Sequence, residues 1–94
     1  MFYEALREVE QKEMIMHYVY ILKSQKDKSI YTGATTDLRK RIGEHNSRGS
    51  KFTDAKRPYR IIWYAAFTDK TKAYKFEKYL KTGSGIAFSR KHLI

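Results

Sequence analysis

Three short segments rich in aromatic and β-branched residues limit this chain to folds built on a small sheet. They span residues 17–23, 29–33 and 60–67, and residues of these types are enriched in strands. A polar stretch at 24–28 separates the first two segments, which predicts an antiparallel hairpin. The third segment contains an unbroken apolar block at residues 61–64. We therefore expect a three-stranded, mainly antiparallel sheet.

A first helix is predicted after the hairpin. Thr35 or Thr36 can cap it, because a hydroxyl at this position accepts a hydrogen bond from the first turn. Asp37 would then lie in the first turn, where a negative charge complements the helix dipole. The helix is expected to end at about residue 45 or 46. Residues 47–58, rich in Ser, Gly and Lys and closed by the only proline, are predicted to form a loop.

A second long helix is predicted to begin at Thr68-Asp69 and to extend to about residue 81. Gly83 and Gly85 should break it, and residues 86–93 are expected to form a last short helix. The predicted class is therefore α/β, of the α+β type. Its small sheet is flanked by helices in the order β-β-α-β-α, with a further C-terminal helix.

A length of 94 residues fits one domain with a single core. Residues 17–94 are predicted to form this domain, and residues 1–16 an N-terminal extension that is either helical or disordered. The chain has no cysteine, which excludes a disulfide framework and a thiolate site. No apolar run approaches the roughly 20 residues needed to cross a bilayer, and residues 1–16 lack the pattern of a signal peptide. We therefore expect a cytoplasmic protein with no membrane partner.

The net charge of +10 is unevenly distributed. Residues 1–16 contain two basic and four acidic side chains, so residues 17–94 carry a net charge of +12. Such a field favours polyanions, with nucleic acid ahead of an anionic membrane surface. An excess of basic residues can also serve solubility or association with ribosomes. Charge alone therefore indicates a nucleic-acid partner without establishing one.

The first predicted helix places polar residues on its apolar side. With about 3.6 residues per turn, Arg41 and His45 fall in the same sector as Leu38 and Ile42. This sector is expected to pack on the sheet. The other charged residues of the helix point elsewhere: Arg39, Lys40 and Glu44.

The second long helix repeats this pattern, because Glu77 falls in the sector of Ala73 and Leu80. A buried charge is costly unless it finds a partner. Two interpretations remain open at this point. Arg41 and Glu77 either form a salt bridge that joins the two helices, or both face a cleft in which phosphate and a metal ion are the partners.

Tyrosines of the predicted hairpin add to the second interpretation. Tyr20 and Tyr31 lie on its two strands and could be close enough to pair. Aromatic pairs across a hairpin usually serve packing. Gly33 shares a face with Tyr31 and is either a turn or bulge residue, or a point at which a nucleic-acid backbone approaches closely.

The residues around these positions resemble the GIY-YIG nuclease domain, in particular its small single-domain bacterial members. Tyr18-Val19-Tyr20 is similar to the first motif, with tyrosine in place of glycine, and Tyr31-Thr32-Gly33 is similar to the second. Residues 35–46 resemble the helix that follows the second motif, and residues 73–81 resemble the family's second helix. The resemblance covers residues 17–94 and implies a nuclease fold and activity.

The resemblance also implies roles for five residues. Tyr20 matches the tyrosine proposed to activate the attacking water, and Tyr31 matches one that positions water and phosphate. Arg41 matches the arginine that contacts the scissile phosphate. Glu77 matches the ligand of a single divalent cation, Mg²⁺ or Mn²⁺. His45 occupies a position that is histidine in some family nucleases and tyrosine in others.

These residue types suit the implied chemistry. Arg41 can donate two parallel hydrogen bonds to phosphate, and Mg²⁺ commonly accepts one or two carboxylates together with water and phosphate oxygens. A free phenol has a pKa of about 10, so Tyr20 would need nearby positive charge to lower its pKa before acting as a base. His45 or a metal-bound hydroxide is a competing base.

A basic loop resembling that of the subfamily supplies further candidates for nucleic-acid contact. The predicted nucleic-acid-binding residues are Gly33, Lys40, Arg48, Lys51, Phe52, Lys56, Arg57 and Arg60. Phe52 and Tyr59 could stack on unpaired bases. We expect contacts to the backbone rather than base readout, with strong salt dependence. A solvated loop kept soluble by its charge is the alternative.

Three functions remain open from the sequence. The leading hypothesis is a metal-dependent DNA endonuclease, structure-selective or weakly sequence-specific, with a role in repair or recombination. The second is a non-catalytic nucleic-acid-binding module with the same fold, and the third is an adaptor that uses residues 1–16 to contact a partner. DNA is favoured over RNA. Family nucleases usually carry a separate recognition domain, so the resemblance implies a protein partner that supplies specificity.

Overall fold

The computed structural model describes residues 15–47 and 56–94. Its elements are β1 (His17–Ser24), β2 (Ile30–Thr35), α1 (Leu38–Asn46), β3 (Tyr59–Phe67), α2 (Lys70–Leu80) and α3 (Gly83–His92). The strand order is β2-β1-β3, and both pairs are antiparallel. The predicted sheet and the predicted order of elements are confirmed. Residues 1–14 lie outside the described part, so the prediction for the N-terminal extension stays a prediction.

One face of the sheet packs against α2 and α3. Val19 and Ile21 of β1 are fully buried there against Ala73 and Leu80 of α2. Burying an aliphatic side chain of this size contributes about 1.5–3 kcal/mol to the free energy of unfolding. Because several such side chains are buried on this face, it is the main apolar core. No helix within residues 15–47 and 56–94 is both long and apolar enough to span a bilayer.

The other face of the sheet packs against α1. Tyr20 and Leu22 of β1 are buried beneath Leu38 and Ile42 of that helix. The period of two along β1 therefore separates an aliphatic face from a face that carries tyrosines. The second face holds the polar residues from which a site can be built.

A bulge in β3 sets which of its side chains join that second face. Tyr20 pairs with Tyr64 and Leu22 pairs with Ile61, with a shift in register between them. Because one extra residue is inserted in β3, Ile61 and Tyr64 point to the same face although they are three positions apart. The aromatic block of β3 is thus divided between both faces.

Asp37, rather than Thr35 or Thr36, caps α1. Its side chain accepts a hydrogen bond of 3.0 Å from the backbone N–H of Lys40. Thr35 instead accepts a bond from the Asp37 N–H at 3.1 Å, which holds the cap in its extended conformation. The predicted cap was wrong because an aspartate and a threonine two positions apart can satisfy the same turn.

The glycines after α2 lie inside the next helix, which corrects the predicted boundary at residue 86. Thr82 caps α3 by accepting a hydrogen bond of 3.0 Å from the N–H of Gly85. A side chain on Gly85 would collide with the carbonyl of Tyr79. The missing side chain therefore lets α3 begin against the end of α2, and the expected helix break falls at residues 81–82, just before the glycines.

Candidate active site

A cluster of aromatic side chains surrounds His45 on the α1 face of the sheet. The imidazole is fully buried and lies between three tyrosine rings. The distances between ring centroids are 4.7 Å to Tyr31, 5.9 Å to Tyr20 and 6.2 Å to Tyr59. We call these four residues the tyrosine–histidine cluster. Two of its tyrosines come from the predicted hairpin, so the structure brings Tyr20, Tyr31 and His45 together.

The end of α1 is fixed to the start of β3 by the side chain of Asn46. Its amide nitrogen donates a hydrogen bond of 2.9 Å to the Tyr59 carbonyl, and its amide oxygen accepts one of 2.5 Å from the Tyr59 N–H. This paired bond holds the last turn of α1, and with it His45, over the sheet. The sequence analysis missed this function of Asn46.

Tyr20 reaches His45 directly. Its hydroxyl and the Nε2 atom of His45 share a hydrogen bond of 3.0 Å. Gly33 pairs with Tyr20 across the hairpin, and a Cβ atom at this glycine would lie 2.6 Å from the Cζ atom of Tyr20. A glycine is therefore needed so that the ring of Tyr20 can lie flat over β2. Gly33 is buried, and its close neighbour is this ring.

Burial keeps both partners of this hydrogen bond neutral. It raises the pKa of Tyr20 above 10.0, and the adjacent Arg41 guanidinium offsets this only in part. Burial, together with the charge of Arg41, lowers the pKa of His45 below 6.5. Tyr20 therefore does not have the lowered pKa that an isolated phenolate base would need. A neutral imidazole next to it can instead accept its proton.

The lowered pKa of His45 predicts a loss of stability in mild acid. The unfolded chain takes up the imidazole proton first, so this contribution to stability is complete above about pH 6.5 and declines below it. We expect a lower denaturant midpoint at about pH 5.5 than at about pH 7.5, and a smaller difference in His45→Gln. Asp27, whose pKa hydrogen bonds from Ser29 lower to about 2, affects stability only in stronger acid. An unchanged pH difference in His45→Gln would contradict this assignment.

Arg41 lies beside the tyrosine–histidine cluster. Its guanidinium pairs with Glu44 at 2.9 Å, and this pairing is the main reason that its pKa is raised. The hydroxyls of Tyr20 and Tyr31 also interact with the guanidinium. Glu44 was predicted to point away, but its position three residues after Arg41 places it on the same side of the helix. The structure thus brings Arg41 to both tyrosines of the predicted site.

Glu77 lies at the margin of this arrangement. Its side chain is 17 % exposed, and the carboxylate pairs with Lys81 at 2.9 Å. Arg41 pairs with Glu44, so the interhelical Arg41–Glu77 salt bridge is not formed. The charge of Glu77 still contributes to the raised pKa of Tyr20, as the smallest of the causes. Glu77 is therefore coupled electrostatically to the cluster, although α2 packs mainly on the opposite face of the sheet.

A divalent cation would find two carboxylates near the cluster, those of Glu44 and Glu77, and each is paired with a basic residue of its own helix. Within the described part of the chain, no group of three or more His, Asp or Glu side chains is arranged to hold a metal. A single partly exposed carboxylate suits Mg²⁺ or Mn²⁺, because these ions retain several waters and take further oxygens from a bound phosphate. Lys81 would have to move from Glu77. These donors suit an ion whose coordination is completed by the bound substrate, rather than an ion held entirely by protein side chains.

The structure describes five of the eight predicted nucleic-acid-binding residues. Lys40 and Arg60 are exposed, and Arg57 is half-buried. Lys56 is exposed and lies 3.7 Å from the carboxylate of Asp27, which partly neutralises it. Three further predictions, for Arg48, Lys51 and Phe52, fall outside the described residues.

Tyr59 has a different role from the predicted one. Its side chain is 5 % exposed, so the idea that it stacks on unpaired bases is wrong. It packs against His45 and completes the tyrosine–histidine cluster. Tyr59 is the first residue of β3, one position before the predicted start of that strand.

An aromatic groove of about 530 Å³ lies beside the cluster on the same face of the sheet. Its lining includes Tyr18, Tyr64, Leu38, Ile42 and Ile61. The rings of Tyr18 and Tyr64 are 6.2 Å apart, and Tyr64 is 55 % exposed. Tyr64 pairs with Tyr20 in the sheet, so the groove opens directly next to the candidate site.

The fold and the two tyrosine motifs define the class of this protein as a small nuclease-type domain. Residues 16–86 match the family model described as the GIY-YIG catalytic domain. The chain therefore belongs to the GIY-YIG family, and the resemblance of its motifs is confirmed.

Similar proteins place it among the small bacterial members of the family. UPF0213 protein SH2523 of Staphylococcus haemolyticus is 43 % identical over 72 residues, which is 76 % of this chain and 87 % of that protein. UPF0213 protein CPE1444 of Clostridium perfringens is 45 % identical over 67 residues, 70 % and 71 % of the two chains. The solution NMR structure of UPF0213 protein BH0048 from Bacillus halodurans is similar with a TM-score of 0.52, at 38 % identity and 82 % coverage of each chain.

Proposed function

We propose that this protein is a metal-dependent endonuclease that hydrolyses phosphodiester bonds in DNA, structure-selectively or with weak sequence specificity. We further propose that residues 17–94 are its catalytic domain and that it acts in the cytoplasm in repair or recombination. The observation that carries the proposal is the buried hydrogen bond between Tyr20 and His45 beside the Arg41 guanidinium. A domain with a purely structural role has little need for this arrangement, because each polar group costs desolvation energy.

A proton relay through Tyr20 fits the neutral state of both side chains. The oxygen of a water molecule attacks phosphorus in line with the leaving oxygen. Its proton passes to the Tyr20 hydroxyl oxygen once substrate binding admits water to this side chain, which is 1 % exposed in the free protein. The proton of that hydroxyl passes to Nε2 of His45, which its lowered pKa keeps available as an acceptor at neutral pH. The bond to the leaving oxygen breaks as the new one forms. No free phenolate is needed.

Arg41 and Tyr31 would hold the phosphate during this step. The guanidinium is always charged and can donate two parallel hydrogen bonds to phosphate oxygens. Its present partner Glu44 is a partly exposed carboxylate on the same helix, so exchanging this pair for phosphate costs about 0–1 kcal/mol. A divalent cation held by Glu77 would neutralise charge that develops on the phosphate and the leaving oxygen.

The aromatic groove supports selectivity for DNA with unpaired bases. Tyr18 and Tyr64 expose aromatic surface immediately next to Tyr20, and base stacking on such rings contributes about 1–3 kcal/mol per base. Bases in flaps, branches or single strands can reach this surface, whereas bases inside a duplex cannot. A protein partner would then supply any further specificity.

A non-catalytic nucleic-acid-binding module is the second candidate function. It is favoured by the fact that both charged residues of the site have partners within their own helices, Glu44 for Arg41 and Lys81 for Glu77. In that case metal ions would not affect the protein, and removing the carboxylate of Glu77 would leave binding intact or tighter.

Cleavage assays separate the two functions. Purified protein is incubated with supercoiled plasmid, flap DNA, branched DNA and a matched RNA, each with Mg²⁺, with Mn²⁺ or with EDTA. We expect nicking with either metal, none with EDTA, and faster cleavage of flap and branched DNA than of duplex. Binding without any cleavage at high protein concentration would support the non-catalytic module instead.

A further inference from the structure

A groove of about 630 Å³ with a basic lining lies at one end of the sheet, and none of the candidate site residues lines it. Four cationic side chains reach it from four separate places in the fold: Lys23 near the end of β1, Lys28 in the β1–β2 turn, Arg60 in β3 and Arg90 in α3. Ile62 and Ile94 contribute apolar walls. We call this surface the basic groove.

The four cations have no acidic partners among the residues that the structure describes. None of them forms an ion pair with a described carboxylate, and no described Asp or Glu lines the basic groove. Like charges that converge on one concave surface repel each other, and a concave wall of low dielectric focuses their field. The basic groove therefore carries an excess of positive charge that a bound anion would relieve.

Local structural needs explain only part of this convergence. Arg90 lies in the last turn of α3, where a cation complements the helix dipole. That argument does not apply to Lys23 and Arg60 on strands. Lys28 has a φ of 67°, a left-handed conformation that favours glycine. A lysine at this position places a charge over the basic groove in a backbone conformation that is unfavourable for it.

We infer that the basic groove binds the phosphodiester backbone of the nucleic acid, as a second contact surface beyond the candidate active site. This inference rests on the proposed function, because it takes the nuclease substrate to be the ligand of the basic groove. The two surfaces are close. Tyr59 and Tyr31 belong to the tyrosine–histidine cluster, and their chain neighbours Arg60 and Ile30 line the basic groove. Neighbouring residues of a β-strand point to opposite faces of the sheet. A nucleic-acid backbone that leaves the cluster and passes over this end of the sheet therefore enters the basic groove.

The test compares two double variants that remove the same number of lysines. Lys23→Gln/Lys28→Gln changes the basic groove, and Lys72→Gln/Lys75→Gln changes exposed lysines on α2 that do not line it. Affinity for a labelled DNA duplex is measured in EDTA, where cleavage cannot interfere, over a series of salt concentrations. We expect about tenfold weaker binding for the first variant and less than about twofold for the second, and a salt slope smaller by about one to two units for the first alone.

Lys28→Gly separates binding from folding. Glycine adopts a positive φ without penalty, so we expect an unchanged or higher thermal midpoint together with weaker DNA binding. Arg90→Gln, from the opposite side of the basic groove, should also weaken binding. Equal losses in the two double variants would show that only net charge matters and would overturn the inference, as would no loss in either.

Two further outcomes are decisive. Displacement of DNA by millimolar inorganic phosphate at constant ionic strength would mark a small-anion site and contradict the inference. Weaker DNA binding by Lys23→Gln/Lys28→Gln alone, in a protein that never nicks DNA, would support the basic groove as a binding surface. The same result would contradict the proposed nuclease function.

Discussion

Replacing Arg41 with alanine is expected to lower the rate of DNA nicking by about 10²- to 10³-fold, the usual cost of removing one preorganised donor from a developing negative charge. The protein should remain folded. The ion pair that Arg41 forms with Glu44 is partly exposed and lies on one helix, so its loss costs about 0–1 kcal/mol of stability. Single-turnover nicking of plasmid and thermal unfolding, measured on the same preparation, check both parts.

Arg41→Lys distinguishes geometry from charge. Lysine keeps the charge but cannot present two parallel donors, so we expect a rate between those of the wild type and Arg41→Ala. Lys72→Ala, on the outward side of α2, is the control and should nick at the wild-type rate. Wild-type activity in Arg41→Ala would show that the phosphate is held elsewhere.

Tyr20→Phe is expected to lower the nicking rate by about 10²- to 10⁴-fold, because it removes the hydroxyl that passes the proton to His45. It keeps the ring that packs on Gly33. It also removes the hydrogen bond to the buried Nε2 atom of His45, which should cost about 1–3 kcal/mol of stability. Tyr74→Phe removes a hydroxyl from an exposed ring on α2 and should leave both rate and stability unchanged.

The pH dependence of the wild-type rate identifies the base. If His45 receives the proton, the rate should reach a plateau above about pH 6.5 and fall in acid as the imidazole becomes charged. A free phenolate of Tyr20, whose pKa burial raises above 10.0, would instead give a rate that climbs continuously into alkaline solution. A continuous rise would contradict the relay.

The sequence was sufficient to predict the sheet and the order of its flanking helices. The alternation along β1 and the apolar block of β3 have the periods of buried strands, and the structure agrees. The local errors arose where several residues could serve equally well, or where the sequence carries no signal. Asp37 and the two preceding threonines can all cap α1, and the bulge that turns Ile61 and Tyr64 to one face leaves no mark in the composition of β3.

The candidate site was predictable in part. The helical spacing of Arg41 and His45 placed both toward the sheet, and in the structure His45 packs on Tyr31 while Arg41 lies beside Tyr20 and Tyr31. The burial that raises the pKa of Tyr20 depends on how α1 packs on the sheet, which no single residue encodes. The basic groove is assembled from residues that are distant in sequence, among them Lys23 and Arg90, so charge counting along the chain does not reveal it.

The most direct test of the nuclease assignment is a metal titration of plasmid nicking with Glu77→Gln. The wild type should nick with a rate that saturates in Mg²⁺ or Mn²⁺, and Glu77→Gln should lose about 10²-fold or more of that rate because the substituted amide binds the ion weakly. Asp27→Asn, which removes a carboxylate in the β1–β2 turn, is the matched control and should behave as the wild type. Nicking by Glu77→Gln at the wild-type rate and metal dependence would contradict the proposed site, and no nicking by the wild type under any of these conditions would contradict the proposed function.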